Sequence, residues 1–115
     1  MDFYRRDRKL WSNAWIVAKT AAAELQIPVP EVEIMTAVQN ETDLWSYSPA
    51  LGFADAEKIY ILDGINNDQL MLVVPHEVRH YWQFQKCRRP NEDDAVEYAA
   101  EFFKRESAAL LGLYP

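Results

Sequence analysis

Residues His76-Glu77-Val78-Arg79-His80 set two imidazoles four positions apart with a carboxylate beside the first. On a helix, residues i and i+4 lie one above the other on the same face. Two imidazoles so placed can converge on one zinc ion, at about 2.0–2.1 Å from each nitrogen. Glu77 lies one residue further round, at an angle that suits a proton acceptor for metal-activated water rather than a third ligand. The chain holds only two histidines, and both fall in this H-E-x-x-H pattern, so the match is more than a short pattern met by chance.

Catalytic zinc takes three protein ligands and keeps one position open. The acidic run Asn91-Glu92-Asp93-Asp94 follows a short turn, and Glu97 and Glu101 lie further along. A strictly antiparallel helix pair brings Glu97 closest to the level of His80. Glu92 reaches the metal only if the helices cross. On spacing alone, Glu92, Asp94 and Glu97 remain alternatives.

These side chains need elements to position them. Leu10, Trp11, Ala14, Trp15, Val17, Ala18, Ala21, Ala22 and Leu25 recur at helical spacing and predict a helix over 3–26, ended by Pro28 and Pro30. Alternation over 31–38 predicts a strand, 39–49 a long connection, and 50–54 a short strand. Lys58-Ile59-Tyr60-Ile61-Leu62, closed by Asp63-Gly64, is the strongest strand signal in the chain. Residues 66–86 read as the histidine-bearing helix, capped by Asn66 or Asn67 and kinked near Pro75. After a turn at 87–90, Asn91 caps a last helix running to about Leu111, with acids in its first turn. The expected fold is a small α+β domain spanning 1–115: an N-terminal helix, a sheet of two or three strands, then two helices.

The motif and the segment Glu92-Asp93-Asp94-Ala95-Val96-Glu97-Tyr98-Ala99 together resemble the gluzincin metallopeptidases. The likeness is nearest to the miniature members, the minigluzincins, and to the IrrE/ImmA-like group that cleaves repressors. It covers roughly residues 57–103. It implies zinc as cofactor, His76, His80 and Glu92 as ligands, Glu77 as general base, and a peptide or protein as substrate. It also implies that the strand Lys58–Leu62 is the rim strand, whose edge a peptide can join through main-chain hydrogen bonds. One departure concerns the group that orients a zinc-bound histidine. Larger gluzincins often carry an Asp four residues after the ligand Glu, and Val96 stands there. Asp93, Asp94 or a backbone carbonyl must then orient the histidine. Tyr60, Tyr81 and Tyr98 are candidates for stabilising the transition state.

The same resemblance carries an alternative to catalysis. Minigluzincins resemble zymogens whose own terminal segment fills the cleft, and the apolar stretch Leu110 to Pro115 could do the same. The protein would then bind zinc and peptide as a latent peptidase or an interaction module.

Composition narrows the partners. The net charge is −6, and an acidic body repels phosphate backbones, so nucleic acid is excluded as main partner. Arg5, Arg6, Arg8 and Lys9 read as solvated first helical turns. The one cysteine, Cys87, can form neither an internal disulfide nor a cysteine-rich zinc site, and both histidines that could activate it are committed. No apolar leader follows Met1, and Lys19 and Glu24 interrupt the apolar run after Trp15, so a soluble, cytoplasmic protein without membrane partner is expected. Composition does not bear on oligomeric state.

Overall fold

The computed structural model describes residues 2–35 and 51–111, with side chains described over 9–35 and 51–110. The side chains of Arg5, Arg6 and Arg8, the connection at 39–49 and the tail residues 112–115 lie outside them. The elements run α1 (Asp2–Leu25), β1 (Glu31–Met35), β2 (Gly52–Ala54), β3 (Lys58–Leu62), α2 (Asn67–Gln85) and α3 (Glu92–Leu111). This is the expected α+β order: a helix, a small mixed sheet, the H-E-x-x-H helix and the glutamate helix.

Alanine dominates the buried face of α1. Ala14, Val17, Ala18, Ala21 and Ala22 are fully buried, and these short side chains let the helix lie close to its neighbours. The prolines that follow α1 are not what closes it. Gln26 adopts a left-handed backbone (φ 58°), and its N–H and that of Ile27 donate to the carbonyls of Ala23 and Ala22. That pair of bonds is a Schellman cap, made without the usual glycine. α2 closes the same way. Cys87 sits at φ 53°, and the N–H groups of Cys87 and Arg88 donate to the carbonyls of Phe84 and Gln83. At its other end α2 begins with a reciprocal capping box between Asn66 and Gln69. The helix continues through Pro75.

Among the described residues the sheet has three strands in the order β1-β3-β2. β1 lies parallel to β3, with Val32 opposite Ile59 and Ile34 opposite Ile61. β2 lies antiparallel to it, with Gly52 opposite Ile61 and Ala54 opposite Ile59. This order corrects the expected rim strand. β3, with the strongest β sequence, is central, and both its edges are paired. The edge facing the helices' cleft belongs to the three-residue strand β2. On the far side, the indole N–H of Trp11 donates to the Val32 carbonyl at 2.8 Å and occupies one acceptor of β1.

One apolar cluster draws on every element: Ala14 and Val17 of α1, Val32 of β1, Ala54 of β2, Ile59 and Ile61 of β3, Leu70, Met71, Val74 and Val78 of α2, and Phe102 of α3. On α2 the buried residues 70, 71, 74, 78 and 81 form one stripe, so the core fixes which way the helix is turned and which face carries the histidines. Leu110 belongs to this core at 8% exposure. The expected cleft-filling tail therefore cannot begin there. Among the described residues, no helix is long and apolar enough to cross a membrane.

Candidate metal centre

The histidines of α2 and the first residue of α3 meet at the floor of a cleft. His76 Nε2 lies 2.8 Å from Glu92 Oε1, and His80 Nε2 lies 3.0 Å from Glu92 Oε2. The imidazole rings stand 4.9 Å apart between centroids, at 75° to each other. One donor atom from each of the three residues lies within 4.8 Å of the other two. Two nitrogens and one oxygen are a donor set that zinc accepts in sites with an open position. Ligands about 2.0–2.1 Å from a tetrahedral ion stand about 3.3–3.4 Å apart. The two histidine–glutamate contacts are shorter than that by a few tenths of an ångström and every donor pair lies within 4.8 Å, so the donor set fits the ion with small side-chain adjustments.

Among the acids that spacing leaves open, it is Glu92 that the two helices bring to the histidines. Glu92 stands at the first position of α3, directly after the Asn91 cap, and both histidines face it. Glu97 is not in the cluster, so the strictly antiparallel arrangement that would favour it does not describe this pair. Asp94 is turned to other work: it receives Arg79 Nε at 2.7 Å and Nη2 at 3.0 Å.

Glu77 is beside the cluster, with Oε2 4.0 Å from His76 Nε2, and is 7% exposed. Burial first, and the Glu92 charge second, push its carboxyl up to about 8. Burial also holds His76 below the usual imidazole range; the Glu92 charge opposes that shift and the neighbouring His80 adds to it. The neutral imidazole is the form that binds metal.

Part of that burial comes from β2. A Cβ added at Gly52 would lie 2.6 Å from Val73 Cγ1, 2.9 Å from Glu77 Cγ and 3.1 Å from Glu77 Oε2. Only glycine lets the strand lie this close to the carboxylate. Gly52→Ala should displace Glu77 or β2 by close to an ångström, and a misplacement of that size costs on the order of 10²-fold in rate. For the zinc-dependent hydrolysis proposed below, steady-state kinetics and zinc content of the variant check this: turnover should fall while the metal stays.

The cleft has a volume of ≈ 720 Å³, and besides the four polar groups its walls are apolar, with Phe53 and Ala54 of β2, Leu72 and Val73 of α2 and Val96 and Ala99 of α3 among them. Phe53, Leu72 and Val96 are 51%, 43% and 52% exposed, so the large apolar side chains that the fold leaves open concentrate at this cleft. None of the three tyrosines lines it. Tyr60 donates to Asp55 Oδ2, Tyr81 is in the core, and Tyr98 packs on Phe102 and Arg79.

The partner that orients His80 also differs from expectation. His80 Nδ1 lies 2.9 Å from Gln83 Oε1, not beside Asp93, Asp94 or a backbone carbonyl. A sequence signal for it exists, since Gln83 follows His80 at i+3 on the same helix face. Nothing in the sequence distinguishes it from Gln85, which instead donates to the Ala56 carbonyl.

No family model, curated protein or solved structure matches the chain. The His76, His80 and Glu92 cluster and the order of the two helices that bear it fit a gluzincin-like H-E-x-x-H site.

Proposed function

We propose that this protein is a zinc-dependent peptide hydrolase of the gluzincin type. The observation that carries the reading is the clustering of His76, His80 and Glu92 with the Glu77 carboxylate 4.0 Å from His76 Nε2. His76, His80 and Glu92 would hold the ion. When bound, zinc supplies Lewis acidity, polarising a carbonyl and acidifying water. Glu77 does the proton work: the charge of a bound cation would favour its ionised form despite burial, and Oε2 would then accept the proton of the attacking water and deliver it to the nitrogen of the departing amine. Its buried position keeps bulk water from competing for that proton. The edge of β2 that no described strand pairs would offer main-chain groups to an extended peptide, and Phe53, Leu72 and Val96 favour apolar side chains on either side of the scissile bond.

The test is metal content and hydrolysis measured together. Protein purified without added metal should contain one zinc per chain and should cleave peptides with apolar residues next to the scissile bond faster than peptides with charged residues there. Chelation should stop cleavage, and zinc should restore it. Protein that refuses zinc under all of these conditions ends the reading.

A further inference from the structure

We propose that Gln83 is the positioning residue of this centre: it holds the His80 proton on Nδ1, leaving Nε2 for the metal, and ties that ring to the start of the glutamate helix. The proposal rests on the zinc reading above.

The orientation of the Gln83 amide is fixed by its partners. Its nitrogen lies 3.0 Å from the Asn91 carbonyl oxygen and 2.9 Å from Asp94 Oδ2, both acceptors, so that end must donate. Its oxygen receives the Asn91 N–H at 2.9 Å, so that end must accept. His80 Nδ1 stands 2.9 Å from the same oxygen and must therefore carry a hydrogen. In a neutral imidazole only one nitrogen is protonated, and the other presents its lone pair. With Nδ1 committed to Gln83, Nε2 is the His80 nitrogen left for a metal, and it faces Glu92 Oε2 at 3.0 Å.

Gln83 can hold the ring because it is held itself. It is 2% exposed, and its backbone carbonyl accepts the Arg88 N–H in the cap of α2. Asp94, which anchors its nitrogen, is gripped by two bonds from Arg79, whose guanidinium lies 3.9 Å over the Trp82 ring. The amide thus spans the corner between the helices. It binds both backbone groups of Asn91, and Glu92 is the next residue, so one side chain sets the orientation of His80 directly and the placement of Glu92 through the chain.

Two substitutions separate this role from packing. Gln83→Met keeps the length and bulk but removes the acceptor. Gln83→Glu keeps an acceptor for His80 but loses the donor to Asn91 and Asp94, so it strains the corner more. If Gln83 positions His80, Gln83→Met loses about 10–100-fold in zinc affinity, the usual effect of removing a partner of a ligand, while Gln83→Glu keeps affinity near wild type despite a lower melting temperature. A packing role would instead make zinc affinity follow stability in both. Cadmium-loaded, nitrogen-15-labelled wild type gives a readout that needs no variant: metal coupling through His80 Nε2, with an Nδ1 proton protected from exchange with water. Gln83→Met should lose that protection at His80 and leave the His76 signals unchanged. Coupling through His80 Nδ1, or equal zinc affinity in wild type and Gln83→Met, would overturn the proposal and leave the zinc reading standing. Wild type that binds neither zinc nor cadmium would remove both.

Discussion

Alanine at His76 or at His80 should strip the protein of zinc. Apparent binding energies of about 10–16 kcal/mol for four-ligand zinc sites correspond to about 2.5–4 kcal/mol per ligand, so losing one weakens binding by on the order of 10²–10³-fold or more. The effect should fall on the metal and spare the fold. The histidine side chains are on the cleft face of α2, while Leu70, Met71, Val74 and Val78 hold the helix from the other side. Glu92→Ala should behave like the histidine variants, because Glu92 is the only acid within reach of both rings among the described residues. Asp94→Ala should cost less, since Asp94 acts on the centre through Gln83 and Arg79. Glu97→Ala should cost nothing measurable. Zinc titration of the five variants, beside melting curves of their metal-free forms, checks the ranking. Full occupancy in either histidine variant would refute the centre. Loss in Glu97→Ala with retention in Glu92→Ala would show that the helices cross differently in solution.

How much of this is legible in the chain follows from the range of each interaction. The pairing of His76 with His80 depends only on helical geometry over four residues, so the sequence is enough to suggest it. The choice of Glu92 over Glu97 depends on how α3 leaves the turn. That turn is set by the left-handed Cys87 and by the bonds that Gln83 makes to Asn91. Cysteine has no marked preference for that conformation, and no pattern rule points to the glutamine. The family resemblance supplies Glu92 where spacing leans toward Glu97.

The sheet departs from expectation for a related reason. β-propensity measures how well side chains fit a pleated, buried surface, and it is greatest in central strands. Lys58–Leu62 owes its strong signal to being buried between two neighbours, which is the position least able to receive a peptide. The strand with an edge unpaired among the described residues, Gly52–Ala54, is three residues long and starts with a glycine, the weakest kind of strand signal. That glycine is there because Glu77 lies against it. The local departure from good strand sequence thus marks the side of the sheet where the carboxylate sits.

Glu77→Gln should abolish most hydrolysis and leave the metal in place. The substitution keeps the size of the side chain, so the contact with Gly52 and the shape of the cleft persist. Among the described residues it removes the carboxylate that stands beside the cluster outside the proposed ligand set, and with it the proposed proton acceptor. General-base catalysis contributes about 10²–10⁴-fold, and the rate should fall by that order. Zinc content and peptide binding should be unchanged. Metal-free Glu77→Gln should be no less stable than wild type, because a buried carboxyl pushed up to about 8 resists ionisation at neutral pH, and an amide has no charge to bury. Should wild type prove silent with zinc bound, the tail must be tested before the mechanism is abandoned. The cut belongs after Leu111, since Leu110 is part of the core and its removal would confound the result. Silence in both the full-length and the trimmed protein, across peptides of varied sequence, would favour a zinc-binding interaction module over an enzyme. Equal cleavage by wild type and Glu77→Gln would place the chemistry on some other group, and Glu77 would not be the base.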